Sequence, residues 1–212
     1  MSPLRLFGVL PAEGHHGFEG EPGEAGGAGI LAFRDLAALV REVPSLRAED
    51  GPAELEEHQR TVQSAFAHSA VLPAPPGVVF RSRDVLLRWL ELHYVTLNDA
   101  LGFLDGRVGA RVYVTRSLGD ADEMLETTEA ASDVAAIAAG SFRVLRRHAV
   151  VSVPLRSEGD GAAAGSAFLV ERERWDAFVE VVKEEDRRLA DLSYEVTGPW
   201  PPYDFVRMQF GG

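Results

Sequence analysis

The spacing of hydrophobic positions changes several times along the chain, and each change marks an element. "LRLFGVLP" (Leu4 to Pro11) is an almost continuous apolar run of strand length and predicts a first strand. From Glu13 to Gly29 seven glycines leave almost no apolar mass, which predicts a flexible loop. "ILAFRDLAALVREV" predicts a short strand running into a helix, with Asp35 as cap and Leu36, Leu39, Val40 and Val43 as its apolar stripe; Pro44 would stop it. A second helix is expected over Pro52 to Ser69, with proline in its first turn and Leu55, Val62 and Phe66 on one side. "VLPAPPGVVF" (Val71 to Phe80) reads as an extended, proline-fixed crossing. Asp84 would then cap one long helix carrying Leu86, Leu90, Leu97, Leu101 and Leu104, which ends at Asp105-Gly106.

Past Gly106 the period shortens. In "RVGARVYVTR" the residues Val108, Ala110, Val112 and Val114 alternate with polar ones, as in a strand with one buried face. Asp120 to Gly140 reads as a helix, "FRVLRRHAVVSVPLR" (Phe142 to Arg156) as a strand, and Ser157 to Gly165 as a loop. "SAFLVE" gives a further strand. The stretch from Arg172 to Leu192 gives a helix with Trp175, Phe178, Val179, Val182 and Leu189 on its buried side, and "LSYEV" a closing strand. The order β-α-β-β-α-β is that of a split βαβ, or ferredoxin-like, plan. The fold class expected is therefore α+β in two domains. Residues 1–105 form an N-terminal α+β domain and residues 106–196 a ferredoxin-like C-terminal domain. Residues 197–212 form a Pro/aromatic tail packing between the domains.

That tail contains "TGPWPPYDF" (Thr197 to Phe205). Each proline fixes its own φ and pushes its predecessor into extended geometry, so polyproline II is expected from Pro199 to Pro202. Three residues per turn place Trp200 and Tyr203 on one side of the rod. A rigid, apolar bar loses little entropy on docking. Gly198, Pro199, Trp200, Pro201, Pro202, Tyr203 and Phe205 are therefore expected to act as a structural clasp on the rest of the chain. A ligand for a proline-reading module, through Pro199 and Pro202, is the competing reading.

Composition narrows the function classes. With 33 acidic against 21 basic residues the net charge is −12, which repels phosphate backbones and anionic lipid. "RVLRRH" (Arg143 to His148) is the one short basic cluster, and its alternation reads as a strand with a wet face. There is no cysteine, so disulfides, thiolate metal sites and cysteine nucleophiles are excluded. The opening "MSPLRLFGVLP" is too short for a signal-peptide core and no apolar run has spanning length, so a cytoplasmic protein is expected.

No constellation assembles into a mechanism. His15 and His16 are adjacent in the glycine-rich loop, a poor metal geometry; Glu54 and His58 are four apart on one helix but have no second pair. His68, His93 and His148 are isolated. The glycines from Gly23 to Gly29 precede a strand, whereas a dinucleotide loop follows one, and no G-K-[ST] is present. Ser166 lacks the G-x-S-x-G elbow of a nucleophile. No enzymatic activity, catalytic residue, metal or cofactor is expected.

"GPWPPYDFV" after a strand, preceded by "AFLVERERWDAFVEVVKE", resembles the C-terminal signature of the GvpF/GvpL family of gas vesicle proteins. "EEHQRTVQSAFAHSAVLPAPPGVVF", an acidic-capped helix and "GRVGARVYV" extend the resemblance from about Leu4 to Val206. The chain departs from the family where a "P-L-x-F-G-T" type turn usually follows the second helix; here Pro73 is followed by Ala74-Pro75-Pro76-Gly77-Val78. The resemblance implies two α+β domains, the second a modified ferredoxin-like fold with added helices. It also implies an accessory or minor structural protein of gas vesicles that binds the small hydrophobic shell protein, with other accessory proteins as further partners, and assists assembly without catalysis. The alternative is a ferredoxin-like small-molecule-binding regulatory module.

Overall fold

The computed structural model describes residues 2–14, 27–46, 51–116, 128–155, 164–189 and 191–206. The chain divides into two compact units, one made of residues 1–105 and 201–212 and the other of residues 106–200. The second unit is thus an insertion into the first, and the backbone passes between them twice.

In the first unit β1 (Leu4–Pro11), β2 (Gly29–Phe33) and β3 (Leu36–Glu42) form an antiparallel sheet in the order β2-β3-β1. Two short strands, β4 (Leu72–Pro73) and β5 (Val79–Phe80), share the other edge of β1. Gly8 lies at this junction because a Cβ there would sit 2.8 Å from the Leu72 carbonyl oxygen. The stretch expected to run from strand into helix is instead a hairpin. Arg34, at φ 54°, and Asp35 make the turn, and β3 continues as the central strand. Leu36 through Val40 are all buried, since β3 is flanked by strands and covered on both faces. The Asp35 carboxylate accepts a hydrogen bond from the Tyr94 hydroxyl at 2.6 Å, and the Arg34 guanidinium stacks on Phe33 and Tyr94.

Helix α1 (Pro52–Phe66) starts with its proline where an N–H would have no partner anyway. Its buried face is His58, Val62, Ala65 and Phe66; Leu55, expected there, is 43% exposed. The long helix expected after it is two, α2 (Arg83–Leu92) and α3 (Tyr94–Leu104), broken at His93. The cap is Ser82, whose Oγ accepts from Val85 N, and not Asp84. The expected leucines do face inward: Leu86, Leu90, Leu97, Leu101 and Leu104 are buried.

The second unit runs β6 (Arg107–Arg116), α4 (Thr128–Leu145), β7 (Val151–Leu155), β8 (Ala164–Glu171), α5 (Trp175–Arg188) and β9 (Leu192–Trp200). Its sheet has the order β7-β8-β6-β9, with every pairing antiparallel. Val108, Ala110, Val112 and Val114 are buried, as the alternation requires. Phe168 on β8 meets Phe142 of α4 and Phe178 of α5, with ring centroids 6.0 and 5.4 Å away. Both helices therefore pack on the same face of the sheet.

"RVLRRH" is not a strand. Val134, Ala138, Ser141, Phe142 and Leu145 are buried at helical intervals, so α4 runs through Leu145 and a 3-10 turn (Arg146–His148) follows. Most of the glycine-rich stretch from Glu13 to Gly29, the first residues of the helix expected from Asp120, and most of the loop from Ser157 lie outside the described residues.

Candidate functional site

The tail is built in two pieces. Thr197 to Trp200 extend β9 along β6, with Thr197 opposite Arg111, Trp200 opposite Gly109 and a bulge between them. Gly198, at φ +137°, sits where a Cβ would be 2.6 Å from the Trp175 ring and 2.8 Å from the Gly109 carbonyl oxygen. No other residue fits that position without displacing the strand or the ring. The Gly198-Pro199 peptide is cis. Trp200 is half-buried, and its indole N–H donates to Thr197 Oγ1 at 3.1 Å.

The second piece belongs to the other unit. Pro201 and Pro202 are buried, and Tyr203–Phe205 form a 3-10 turn closed by Tyr203 N–H to Pro201 O and Phe205 N–H to Pro202 O. Burial pushes the Tyr203 hydroxyl up to about 12. The polyproline rod is therefore absent: a strand leads into a tight turn, and Trp200 and Tyr203 fall in different units. Tail residues beyond Val206 lie outside the described residues.

The histidine candidates scatter. His15 and His16 lie outside the described residues; His68 and His148 are exposed, and His93 is half-buried beside Trp89. His58 is 2% exposed and its Nε2–H donates to the Ala74 carbonyl at 2.9 Å, which ties α1 to the chain at Ala74. Burial holds this imidazole below its ordinary pKa, with Arg5 adding to the effect. Among the described residues no group of three or more His, Asp or Glu side chains could hold a metal ion. Ser166 is buried in the sheet, where its hydroxyl donates to the Val153 carbonyl at 3.0 Å.

Two polar clusters escaped the sequence reading. In the first unit Arg5, 4% exposed, and Arg41 lie opposite each other on β1 and β3, and both guanidiniums rest on Phe7, 5.8 and 5.9 Å from its centroid. The imidazole of His58 lies 5.3 Å from the same ring. Arg41 pairs with Glu57, and Arg5 makes one long hydrogen bond, 3.4 Å, to the Glu54 carbonyl. In the second unit Ser141 Oγ and Tyr194 Oη are 2.8 Å apart, Arg188 reaches Ser141, and Glu185 accepts two hydrogen bonds from Arg188 at 3.1 and 2.5 Å. Those bonds hold the Glu185 carboxyl below its ordinary pKa. Asp186 takes the Tyr194 N–H at 2.8 Å, tying α5 to β9. Both clusters hold helices onto sheets.

The family model described as "Gas vesicle synthesis protein GvpL/GvpF" matches residues 6–138 and 120–207. The chain is 30% identical over 187 residues to Gas vesicle protein F2 of Halobacterium salinarum, covering 85% of this chain and 81% of that protein. It is 29% identical over 244 residues to Gas vesicle protein L of a Streptomyces species, covering 94% and 88%. Among solved structures, the gas vesicle protein GvpF of Anabaena sp. PCC7120 matches with a TM-score of 0.78 at 16% identity, covering 99% of this chain and 98% of that one. GvpF of Microcystis aeruginosa matches with a TM-score of 0.77 at 14% identity, covering 98% and 100%. At such identities the two crystal structures speak for the fold.

Proposed function

The chain belongs to the gas vesicle synthesis protein GvpL/GvpF family, and from that premise we propose that it is a non-enzymatic accessory or minor structural protein that binds the small hydrophobic shell protein during vesicle assembly. The observation that carries the reading is the family match, which extends from residue 6 to residue 207. The physics asked of it is ordinary recognition. An apolar, sheet-forming subunit aggregates unless something holds it, and an acidic carrier with a sheet edge or an apolar groove is suited to hold it. Its site of action on this reading is the cytoplasm and the vesicle, which rests on the family match; among the described residues no helix is long and apolar enough to cross a membrane. The second unit, with strand order β7-β8-β6-β9 and two helices on one face, we read as a ferredoxin-like domain with residues 1–105 as its partner domain.

The tail serves this reading as a clasp. Its support is the division of "TGPWPPYDF": Thr197 and Trp200 pair with β6, while the buried Pro201 and Pro202 group with residues 1–105. The test is a pull-down of the purified shell protein with the full chain and with Trp200→Ala. Retention by the full chain is expected, and Trp200→Ala, where the ring is only half-buried, should lower the melting temperature before it affects capture. A full chain that captures no shell protein would overturn the binding role. Lost capture at unchanged melting would overturn the clasp and make the tail a partner site. A melting shift on adding a nucleotide or other small metabolite would favour the sensor alternative.

A further inference from the structure

Two arginine-bearing 3-10 turns meet in the second unit. One, Arg146–His148, follows α4; the other, Arg172–Arg174, joins β8 to α5. Backbone bonds hold them in place: Val150 N–H donates to the Leu169 carbonyl at 2.8 Å, and Arg172 N–H to the Gly106 carbonyl at 2.7 Å. Gly106 itself has φ +67°, a conformation that favours glycine. Between the turns lies an open cleft of about 620 Å³ lined by Arg147, His148, Arg172 and Arg174, with Glu171, Glu173 and the exposed Val150.

The sign of this cleft is opposite to that of the chain. Glu171 is engaged by Arg107, Nε to Oε1 3.1 Å, and the exposed Arg147 and Arg174 line the cleft against one further carboxylate, Glu173. A protein of net charge −12 repels acidic partners at long range, so a local reversal selects them at one place. The chemistry favours peptide over nucleic acid. Among the described residues lining the cleft there is no Phe, Tyr or Trp on which a base would stack. A peptide offers carboxylates to the arginines, backbone N–H groups to Glu173, and aliphatic side chains to Val150 and to Val151 at the start of the edge strand β7, both more than a third exposed.

We propose that this cleft docks an extended acidic segment of a partner protein, one in which Glu or Asp alternates with aliphatic residues. The volume suits a segment of roughly three or four residues, within the usual range for ligand clefts. The inference stands apart from the shell-binding reading, since it rests on the charge and shape of this cleft alone.

The probe is a labelled, end-blocked peptide of alternating glutamate and valine, followed by fluorescence anisotropy at low salt on the full chain. Saturable binding is expected, weakened about tenfold when glutamine replaces glutamate in the peptide. The variant Arg147→Glu with Arg174→Glu reverses two exposed cleft charges and should weaken binding by about tenfold or more. Arg60→Glu with Arg187→Glu makes the same change of net charge on exposed helix faces outside the cleft and should cost no more than about twofold. Melting curves check that both variants are folded. Absence of saturable binding, or equal loss in the two variants, would overturn the proposal. So would displacement of the peptide by inorganic phosphate or a single-stranded oligonucleotide at matched concentration, which would mark a general anion or nucleic-acid site.

Discussion

Under α1, Arg5 and His58 are almost completely buried, yet Arg5 Nε and His58 Nδ1 have no hydrogen-bond partner among the described residues. Among α4, α5 and β9 of the other unit, Ser141, Glu185 and Tyr194 are buried to a similar depth, and each has its side-chain oxygens bonded. The first cluster is held by the π face of Phe7 and by packing, which are weakly directional; the second is held by a closed chain of directional bonds. A closed network fixes one register of helix on sheet, because any slip strands several polar atoms at once. An open cluster already carries that cost, so it fixes register less and has more to gain from substitution. The same depth of burial thus does two different jobs.

The largest effect should come from removing the ring at the centre of the open cluster. Phe7 and Phe168 are both fully buried, and Phe→Ala at such sites costs about 3–5 kcal/mol. Phe168 touches two other phenyl rings, whereas Phe7 supports two guanidiniums and an imidazole. Phe7→Ala should therefore exceed Phe168→Ala by about 1 kcal/mol, the worth of cation–π contacts in a partly desolvated site. Urea unfolding of the two variants at mildly alkaline pH measures the difference. Equal or reversed costs would mean that the cations gain nothing from the ring.

A smaller effect sharpens the contrast. Tyr194→Phe deletes the 2.8 Å bond between Tyr194 Oη and Ser141 Oγ inside this network, and should cost about 1–2 kcal/mol. Arg5→Met keeps the volume of the side chain while deleting a buried charge and an unpaired nitrogen. It should be neutral or stabilising, as replacement of a poorly paired buried charge by a well-packed apolar group often is. Should Arg5→Met cost more than Tyr194→Phe, the first cluster is a working network and the comparison fails.

How much of this was legible follows from what a one-dimensional pattern can carry. β1 and β6 were readable because each is a run of apolar or alternating residues with a clear stop. The hairpin was not, because β3 is covered on both faces. With no alternation left to read, Leu36, Leu39, Val40 and Val43 fell by accident at helical spacing. On α1 the pattern promoted Leu55 and demoted His58, since it counts apolar side chains and cannot see an imidazole with a carbonyl waiting for it at Ala74. In the tail the aromatic positions were visible, but the rod failed because pairing of Trp200 with Gly109 on β6 overrides the local preference of the prolines. The basic cleft was half visible. "RVLRRH" stood out, but only the sheet brings it beside "RER".

The smallest expected effect is the pH response of His58, and it separates the units by where each begins to weaken. Burial first, and the charge of Arg5 next, hold the imidazole below its ordinary value of 6.5, against the opposing Ala74 carbonyl and Glu57. The unfolded chain therefore takes up a proton near 6.5 that the folded chain refuses. Stability present above that pH is lost as pH falls from about 6.5 toward the folded value. Glu185 lies lower on the scale: Arg188 holds its carboxyl below the ordinary 4.5, so its contribution is kept above 4.5 and lost only as pH falls through the folded value. On acidification the first unit should weaken before the second. His58→Leu trades one hydrogen bond for the removal of an unpaired nitrogen and should lie within about 1 kcal/mol of the parent at mildly alkaline pH. Between about pH 7.5 and 5.5 its stability should stay flat while that of the parent declines. Urea unfolding across that range, with amide exchange on α1 and α5 to tell the units apart, is the measurement. Parallel decline of parent and variant would show that a group other than His58 sets the acid response of the first unit.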